Sequence, residues 1–140
     1  MNTKNQKIIA ALYLRGEFLD PQLVTKSIGV EPSRAQKKDD VSFTSTGHKV
    51  VAKLGLWALI VELDSSSLDN HIKLLTELLP FELSYSSIVG VEEAYVDIFV
   101  AMASDADGDA YCTFELSPRS LDALARLKLP FHMTITVGHD

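Results

Sequence analysis

The sequence has one cysteine, no long apolar run and no Lys or Arg between positions 74 and 118. A lone Cys112 excludes a disulfide within the chain, and such cysteine usage is typical of a reducing compartment. No apolar run approaches the ~20 residues of a membrane span. The apolar segment 8–14 ends at Arg15 and lacks the cleavage site of a signal peptide. We therefore expect a cytoplasmic protein that does not enter a membrane.

Charge is divided unevenly along the chain. Residues 1–53 hold nine basic and five acidic side chains, a net of +4, whereas residues 54–140 hold four basic and fourteen acidic ones, a net of −10. Together they give the net charge of −6. A surface of one sign attracts partners of the opposite sign, so this polarity favours a basic partner without identifying it.

A succession of strand and helix patterns fills the 140 residues, which is the size of one domain. Apolar alternation or continuous apolar runs predict strands over 8–15, 56–63, 94–103, 111–116 and 131–137. Capping residues predict helices that begin at Asp20-Pro21, at Ser66 or Ser67, and at Ser117-Pro118. We predict a disordered end over 1–6 and a single layered α+β domain over 7–138. Its sheet is mostly antiparallel or mixed, with two to three helices and a ferredoxin-like character.

Two segments resist assignment from the sequence. Residues 33–53 are either a small hairpin around Thr46-Gly47 or a functional loop, because a structureless loop of this length is uncommon in a compact domain. Residues 81–89 stay undecided. Trp57 lies in a buried-looking strand, so we expect it to serve the core. Cys112 is in step with Phe114 and Leu116, which predicts a small buried side chain.

The turn from Asp105 through Asp107 to Asp109 raises the question of calcium, since clustered carboxylates are hard oxygen ligands. An EF-hand loop beginning at Asp105 needs Gly at its sixth position and Glu at its twelfth, and this chain has Ala110 and Leu116 there. We favour a solvated hairpin turn. No cofactor and no metal site is predicted.

Asp97 interrupts an otherwise apolar and aromatic strand. A buried carboxyl has a raised pKa and can act as an acid or a base, but the sequence places no partner beside it. The simpler interpretation is a half-exposed sheet face on which Asp97 meets solvent or a cross-strand Lys7 or Arg15. We therefore name no catalytic residue.

The basic residues of segment 34–53 are candidates for anion binding, through Lys37, Lys38, His48 and Lys49. One Phe among five Lys or Arg is a weak nucleic-acid signal, and the rest of the chain is acidic, so we do not expect a nucleic-acid partner. The histidines form no zinc pattern, and no nucleotide or hydrolase motif is present.

Several short motifs resemble a known family. They mark helix ends and core contacts, and they are Leu19-Asp20-Pro21, Ile28-Gly29-Val30-Glu31-Pro32-Ser33, Gly55-Leu56-Trp57, Leu116-Ser117-Pro118-Arg119-Ser120-Leu121 and Leu127-Lys128-Leu129-Pro130. The chain resembles the bacterial "domain of unknown function 4279" family over most of residues 8–137. The resemblance implies a small α+β domain and no established activity or catalytic residue.

Three functions follow as hypotheses. The leading one is a non-catalytic protein-binding module, such as an immunity or antidote protein, whose acidic face engages a basic partner through Glu82, Glu92, Glu93, Asp97, Asp105, Asp107 and Asp109. The alternative is a small-anion binder or enzyme that uses the basic loop 34–53 with Asp97. The third is a unit that self-associates through the strand 131–137, so monomer and homodimer both stay open.

Overall fold

The computed structural model describes residues 6–138, which form three α-helices and seven strands. The strands are β1 (Gln6–Gly16), β2 (Arg34–Gln36), β3 (Val41–Phe43), β4 (Lys49–Val51), β5 (Gly55–Val61), β6 (Glu93–Ala103) and β7 (Phe131–Gly138). The helices are α1 (Pro21–Ile28), α2 (Leu68–Leu78) and α3 (Pro118–Leu127), and a 3₁₀ turn covers Tyr85–Ser87. The helix starts agree with the predicted caps: Asp20, Ser67 and Ser117 each accept a backbone N–H of the first turn.

Five strands form one mixed sheet in the order β2-β5-β1-β6-β7. All neighbouring strands are antiparallel except β6 and β7. These two are parallel because α3 returns the chain to the end of the sheet at which β6 begins. Strands β3 and β4 pair separately as a two-stranded hairpin. The predicted α+β layering with a mixed sheet is confirmed.

The helices cover one face of the sheet. The residues of β1 that pack into the core with the helices are Ile8, Ala10, Leu12 and Leu14, and the matching residues of β6 and β5 join them. Trp57 is fully buried in this core, as predicted, and its Nε1 donates to Thr25 Oγ1 of α1 at 3.0 Å. The opposite set of side chains forms what we term the open face, which none of the helices within residues 6–138 covers.

The predicted strand over 111–116 is wrong. This segment pairs with no described strand, because the free edge of β6 is occupied by β7 instead. Its alternation has another cause: Phe114 and Leu116 pack on the core from an extended connection. The turn at 105–109 is therefore not a hairpin turn, and Cys112 is only half-buried, with its Sγ 3.8 Å from Met102 Sδ.

The segment 33–53 contains the hairpin that was one of its two predicted forms, preceded by the short edge strand β2. Residues 81–89 contain only the 3₁₀ turn as regular structure. Of the predicted disordered end, residues 1–5 lie outside the described part of the chain, whereas Gln6 already pairs with Met102 in the sheet. Within residues 6–138, no helix has the length and apolar character needed to cross a membrane.

Candidate functional site

Asp97 lies in the middle of β6 on the open face. Its cross-strand neighbours are Ala11 of β1 and His132 of β7, and Tyr95 and Phe99 flank it on the same face of its own strand. Ala11 presents only a methyl group and is 1% exposed. The carboxylate therefore sits between aromatic side chains, beside a position where the sheet offers no long side chain.

Three aromatic rings run across neighbouring strands beside this carboxylate. Tyr13 and Tyr95 face each other across β1 and β6, with ring centroids 5.6 Å apart and planes tilted by 32°. The imidazole of His132 stacks on Tyr95 at 4.4 Å, with an interplanar angle of 20°. Aromatic pairs at these separations are attractive, so the rings form a continuous surface. We term Tyr13, Tyr95, Asp97 and His132 the open-face cluster.

The electrostatics of the cluster are those of a charge held partly out of water. Removal from solvent raises the pKa of the Asp97 carboxyl above its ordinary value, and the nearby His132 opposes this rise. The pKa of the Tyr13 hydroxyl is also raised, first by burial and then by the negative charge of Asp97, while Arg34 acts in the other direction. The Asp97 carboxyl is therefore partly removed from water and lies close enough to Tyr13 to act on its hydroxyl.

The expected cationic neighbours of Asp97 are too far along the strands. Lys7 is paired with Ala101 and Arg15 with Glu93, each four residues from Asp97 on β6, which is about 13 Å of strand. Lys7 instead forms an ion pair with Glu62 at 3.3 Å. Within residues 6–138, no side chain forms an ion pair or a hydrogen bond with the Asp97 carboxylate.

This position predicts that Asp97→Asn changes stability in a pH-dependent way. Because folding raises the pKa of Asp97, ionisation costs more in the folded state than in the unfolded chain. The wild type therefore loses stability as the pH rises from 3.8, the ordinary pKa of the carboxyl, through the raised pKa of the folded state. Because much of the carboxyl is exposed, solvent screens the effect. We therefore expect Asp97→Asn to be only slightly more stable than wild type near neutral pH, and the difference to shrink in acid. Urea unfolding of both proteins at neutral and at acid pH tests this. The prediction is contradicted if the stability advantage of Asp97→Asn over wild type is smaller at neutral pH than in acid.

The other predicted acidic residues do not gather around the open-face cluster. Glu93 begins β6, and Glu92 next to it accepts the backbone N–H of Glu17 at 2.9 Å. The 105–109 turn follows the far end of the same strand, about 33 Å away for eleven residues. Glu82 lies between α2 and the 3₁₀ turn. Glu93 and the 105–109 turn thus lie at opposite ends of β6, with Asp97 between them.

The 105–109 turn uses its own carboxylate to hold its backbone. Asp105 Oδ1 accepts the N–H groups of Asp107 and Asp109, each at 2.9 Å, and Gly108 has the positive φ of +83° that the turn requires. Among residues 6–138, no group of three or more His, Cys, Asp or Glu is placed to hold a metal ion.

The predicted basic residues are spread over two places away from Asp97. Lys37 lies 3.9 Å from Asp20, and Lys38 pairs with Glu17 and approaches the Phe18 ring. His48 and Lys49 belong to the exposed β3–β4 hairpin. The structure therefore does not bring Lys37, Lys38, His48 and Lys49 together with Asp97.

Cavities of about 620 and 230 Å³ lie in the helical layer and its loops. The larger one is a groove between α2 and α3 with both signs of charge on its walls. Asp69 at one end of it already accepts the backbone N–H and the hydroxyl of Ser117, at 2.8 and 3.1 Å. That carboxylate serves to anchor the start of α3.

The sequence indicated Asp97 but not the residues that complete the cluster. Tyr13, Tyr95 and His132 were recognisable only as residues of predicted strands. The alternation in each strand already placed them on one face. The place of His132 beside Tyr95 and Asp97 depends on the parallel pairing of β7 with β6, which the predicted strand over 111–116 obscured.

Comparison with known proteins adds one finding. The family model described as "Domain of unknown function (DUF4279)" matches residues 6–138. No curated protein and no solved structure matches the chain. The matched region contains the whole sheet, the three helices and the open-face cluster. The chain therefore belongs to the DUF4279 family of domains of unknown function.

Proposed function

We propose that this protein is a non-catalytic protein-binding module whose open face receives a basic partner, with Asp97 accepting a lysine or arginine side chain of that partner. The observation that carries the proposal is the half-buried Asp97 carboxylate, which lies among aromatic rings without an ion pair or hydrogen bond in the described part of the chain. A charge in such surroundings raises the energy of the free protein, and a cation that docks there removes that cost.

The rings of the open-face cluster suit the same ligand. A Lys or Arg cation over the face of Tyr is attracted by the ring's electron density, by ~0.5–1 kcal/mol when exposed and about 2 kcal/mol when desolvated. Tyr95 stacks with His132 and faces Tyr13, so a docked cation meets a carboxylate and an aromatic surface together. Tyrosine and arginine are also the residues that most often dominate binding energy in protein interfaces.

The arrangement fits a protein partner better than a small molecule. Small-molecule sites are concave and enclose most of the ligand. The cluster instead spreads over three strands of a sheet face that no helix of the described chain covers. The net charge of −6 adds a long-range attraction for a basic protein and speeds its association. An antidote that neutralises a basic toxin is one form of this function, and the free Cys112 supports a cytoplasmic setting.

A small-anion function receives less support. Lys37 and Lys38 are both engaged with carboxylates, and His48 and Lys49 lie on the projecting hairpin. An anion bound among these four residues would also not meet Asp97. We therefore keep the anion-binding function as an alternative only.

Binding of short basic peptides tests the proposal directly. Labelled tetralysine and tetraarginine peptides are titrated with the protein and followed by fluorescence anisotropy, with tetraglutamate as the peptide control. We expect basic peptides to bind and Asp97→Asn to weaken binding at least tenfold, because loss of a desolvated charge partner costs about 2 kcal/mol or more. Added salt weakens the steering part of the attraction.

Asp107→Asn is the matched control, since it removes the same charge from the exposed turn at the end of β6. We expect it to change the affinity less than twofold. If Asp107→Asn weakens binding as much as Asp97→Asn does, the attraction comes from net charge and the open-face proposal is wrong. The open-face proposal is also wrong if neither basic peptide binds.

A further inference from the structure

The second edge of the sheet has features that the proposed function does not use. Strand β7 is the last strand of the sheet, and no described strand pairs with its outer side. On the face that β7 shares with the helices, its side chains are 41% (Phe131), 42% (Met133), 50% (Ile135) and 50% (Val137) exposed. They remain about half-exposed because α3 packs chiefly against α2 rather than over β7.

This edge lacks the devices that normally prevent strand addition. Natural edge strands carry charges or Pro, are short, or contain bulges. Residues 131–138 contain no Lys, Arg, Asp, Glu or Pro, and β7 stays in continuous register with β6 over its eight residues. The opposite edge, β2, has only three residues and begins with Arg34. Strand β2 therefore has features that hinder the addition of another strand, whereas β7 lacks them.

The pattern of β7 is symmetric about Thr134. In an antiparallel pair centred there, Phe131 meets Val137 of a second copy, Met133 meets Ile135, and Thr134 meets itself. His132 meets Thr136 on the other face. Antiparallel neighbours share a face, so every apolar side chain meets an apolar one and every polar side chain a polar one. Facing threonines form a favourable cross-strand pair, and no like charges meet.

We propose that the partner of β7 is a second copy of this chain, added antiparallel about a twofold axis at Thr134 to form a continuous ten-stranded sheet. A twofold contact uses the same surface on both copies and closes the assembly at two. Addition of β7 to β2 of another copy, which would build open filaments, is limited to the three residues of β2. The inference is independent of the proposed function, because it uses the edge of the sheet and not the charge of Asp97.

Sedimentation velocity of the full chain over a concentration series is the first test. We expect a monomer–dimer equilibrium with a limiting mass of twice 15.4 kDa. Ile135→Lys places a charge opposite Met133 at the interface, and we expect it to raise the dissociation constant at least tenfold. Val50→Lys is the matched control, because Val50 is a strand residue 45% exposed on the β3–β4 hairpin. A monomer at all concentrations would overturn the inference, as would equal effects of the two substitutions.

Cysteine cross-linking tests the register. In a Cys112→Ser background, Thr134→Cys places two thiols directly opposite each other, within the Cα separation that a disulfide spans. His132→Cys places its two thiols about 13 Å apart, four residues out of register. We expect mild oxidation to give a covalent dimer for Thr134→Cys alone. Cross-linking of His132→Cys instead, or of neither variant, would exclude this pairing.

Discussion

The variant Gly16→Ala is expected to lose about 3 kcal/mol or more of its free energy of unfolding. A Cβ at this position would lie 1.9 Å from the backbone oxygen of Gly90 and 3.2 Å from the backbone N of Glu92. Glu92 N is held in place because it donates its N–H to Arg15 O at 2.8 Å, and Gly90 lies two residues earlier on the same segment. The end of β1 lies directly against the backbone of residues 90–92, so the added methyl group must push the two segments apart.

Chemical denaturation measures this loss, and the corresponding fall in melting temperature is roughly 10 °C. Gly138→Ala is the matched control, since nothing in the described structure lies within 4 Å of its would-be Cβ. We expect Gly138→Ala to stay within about 0.5 kcal/mol of wild type. Equal stabilities of the two alanine variants would show that the close approach of residues 16 and 90 is not a constraint of the fold.

The second large effect is expected at His71, which is fully buried. Its Nε2 accepts the backbone N–H of Leu63 at 3.1 Å, so its Nδ1 carries the proton and donates to Ser67 O at 2.7 Å. The ring thereby ties the first turn of α2 to the chain that leaves β5. Replacement by Leu keeps the volume but leaves the Leu63 N–H without its partner. It also removes the ring's hydrogen bond to Ser67 O, which still accepts the backbone N–H of residue 71 at 3.4 Å. We expect a loss of about 2 kcal/mol.

His48→Leu is the control for this substitution, because His48 lies on the exposed hairpin and its ring makes no hydrogen bond in the described structure. Urea unfolding of both variants gives the comparison. We expect His48→Leu to be near wild type and His71→Leu to be clearly less stable. A loss below about 0.5 kcal/mol for His71→Leu would mean that water replaces the imidazole at little cost.

The local elements were predictable because their signals are local. Asp20-Pro21 and Ser117-Pro118 state where helices begin, and the alternation of β1 states which side chains face the core. These signals depend on capping chemistry and on the geometry of one strand. They need no knowledge of which element lies beside another.

The pairing of strands was not predictable in the same way. The segment 111–116 has the alternation of a strand, but the sequence does not state that β7, arriving through α3, occupies the edge of β6. Segments that lie far apart in the chain compete for pairing at the edge of a sheet, and tertiary packing decides which of them pairs there. The position of His132 beside Asp97 follows from the pairing of β7 with β6. For this reason the sequence indicated the Asp97 carboxylate but not the histidine beside it.

The most direct measurement is an NMR titration of the full chain with tetralysine and tetraarginine, read at each assigned residue. The central claim is that the open-face cluster, with Asp97 and the rings beside it, binds a cation. We expect the largest shifts at the ring signals of Tyr13, Tyr95 and His132, and we expect these shifts to disappear in Asp97→Asn. Shifts confined to residues 105–109, or unchanged ring shifts in Asp97→Asn, would contradict the claim.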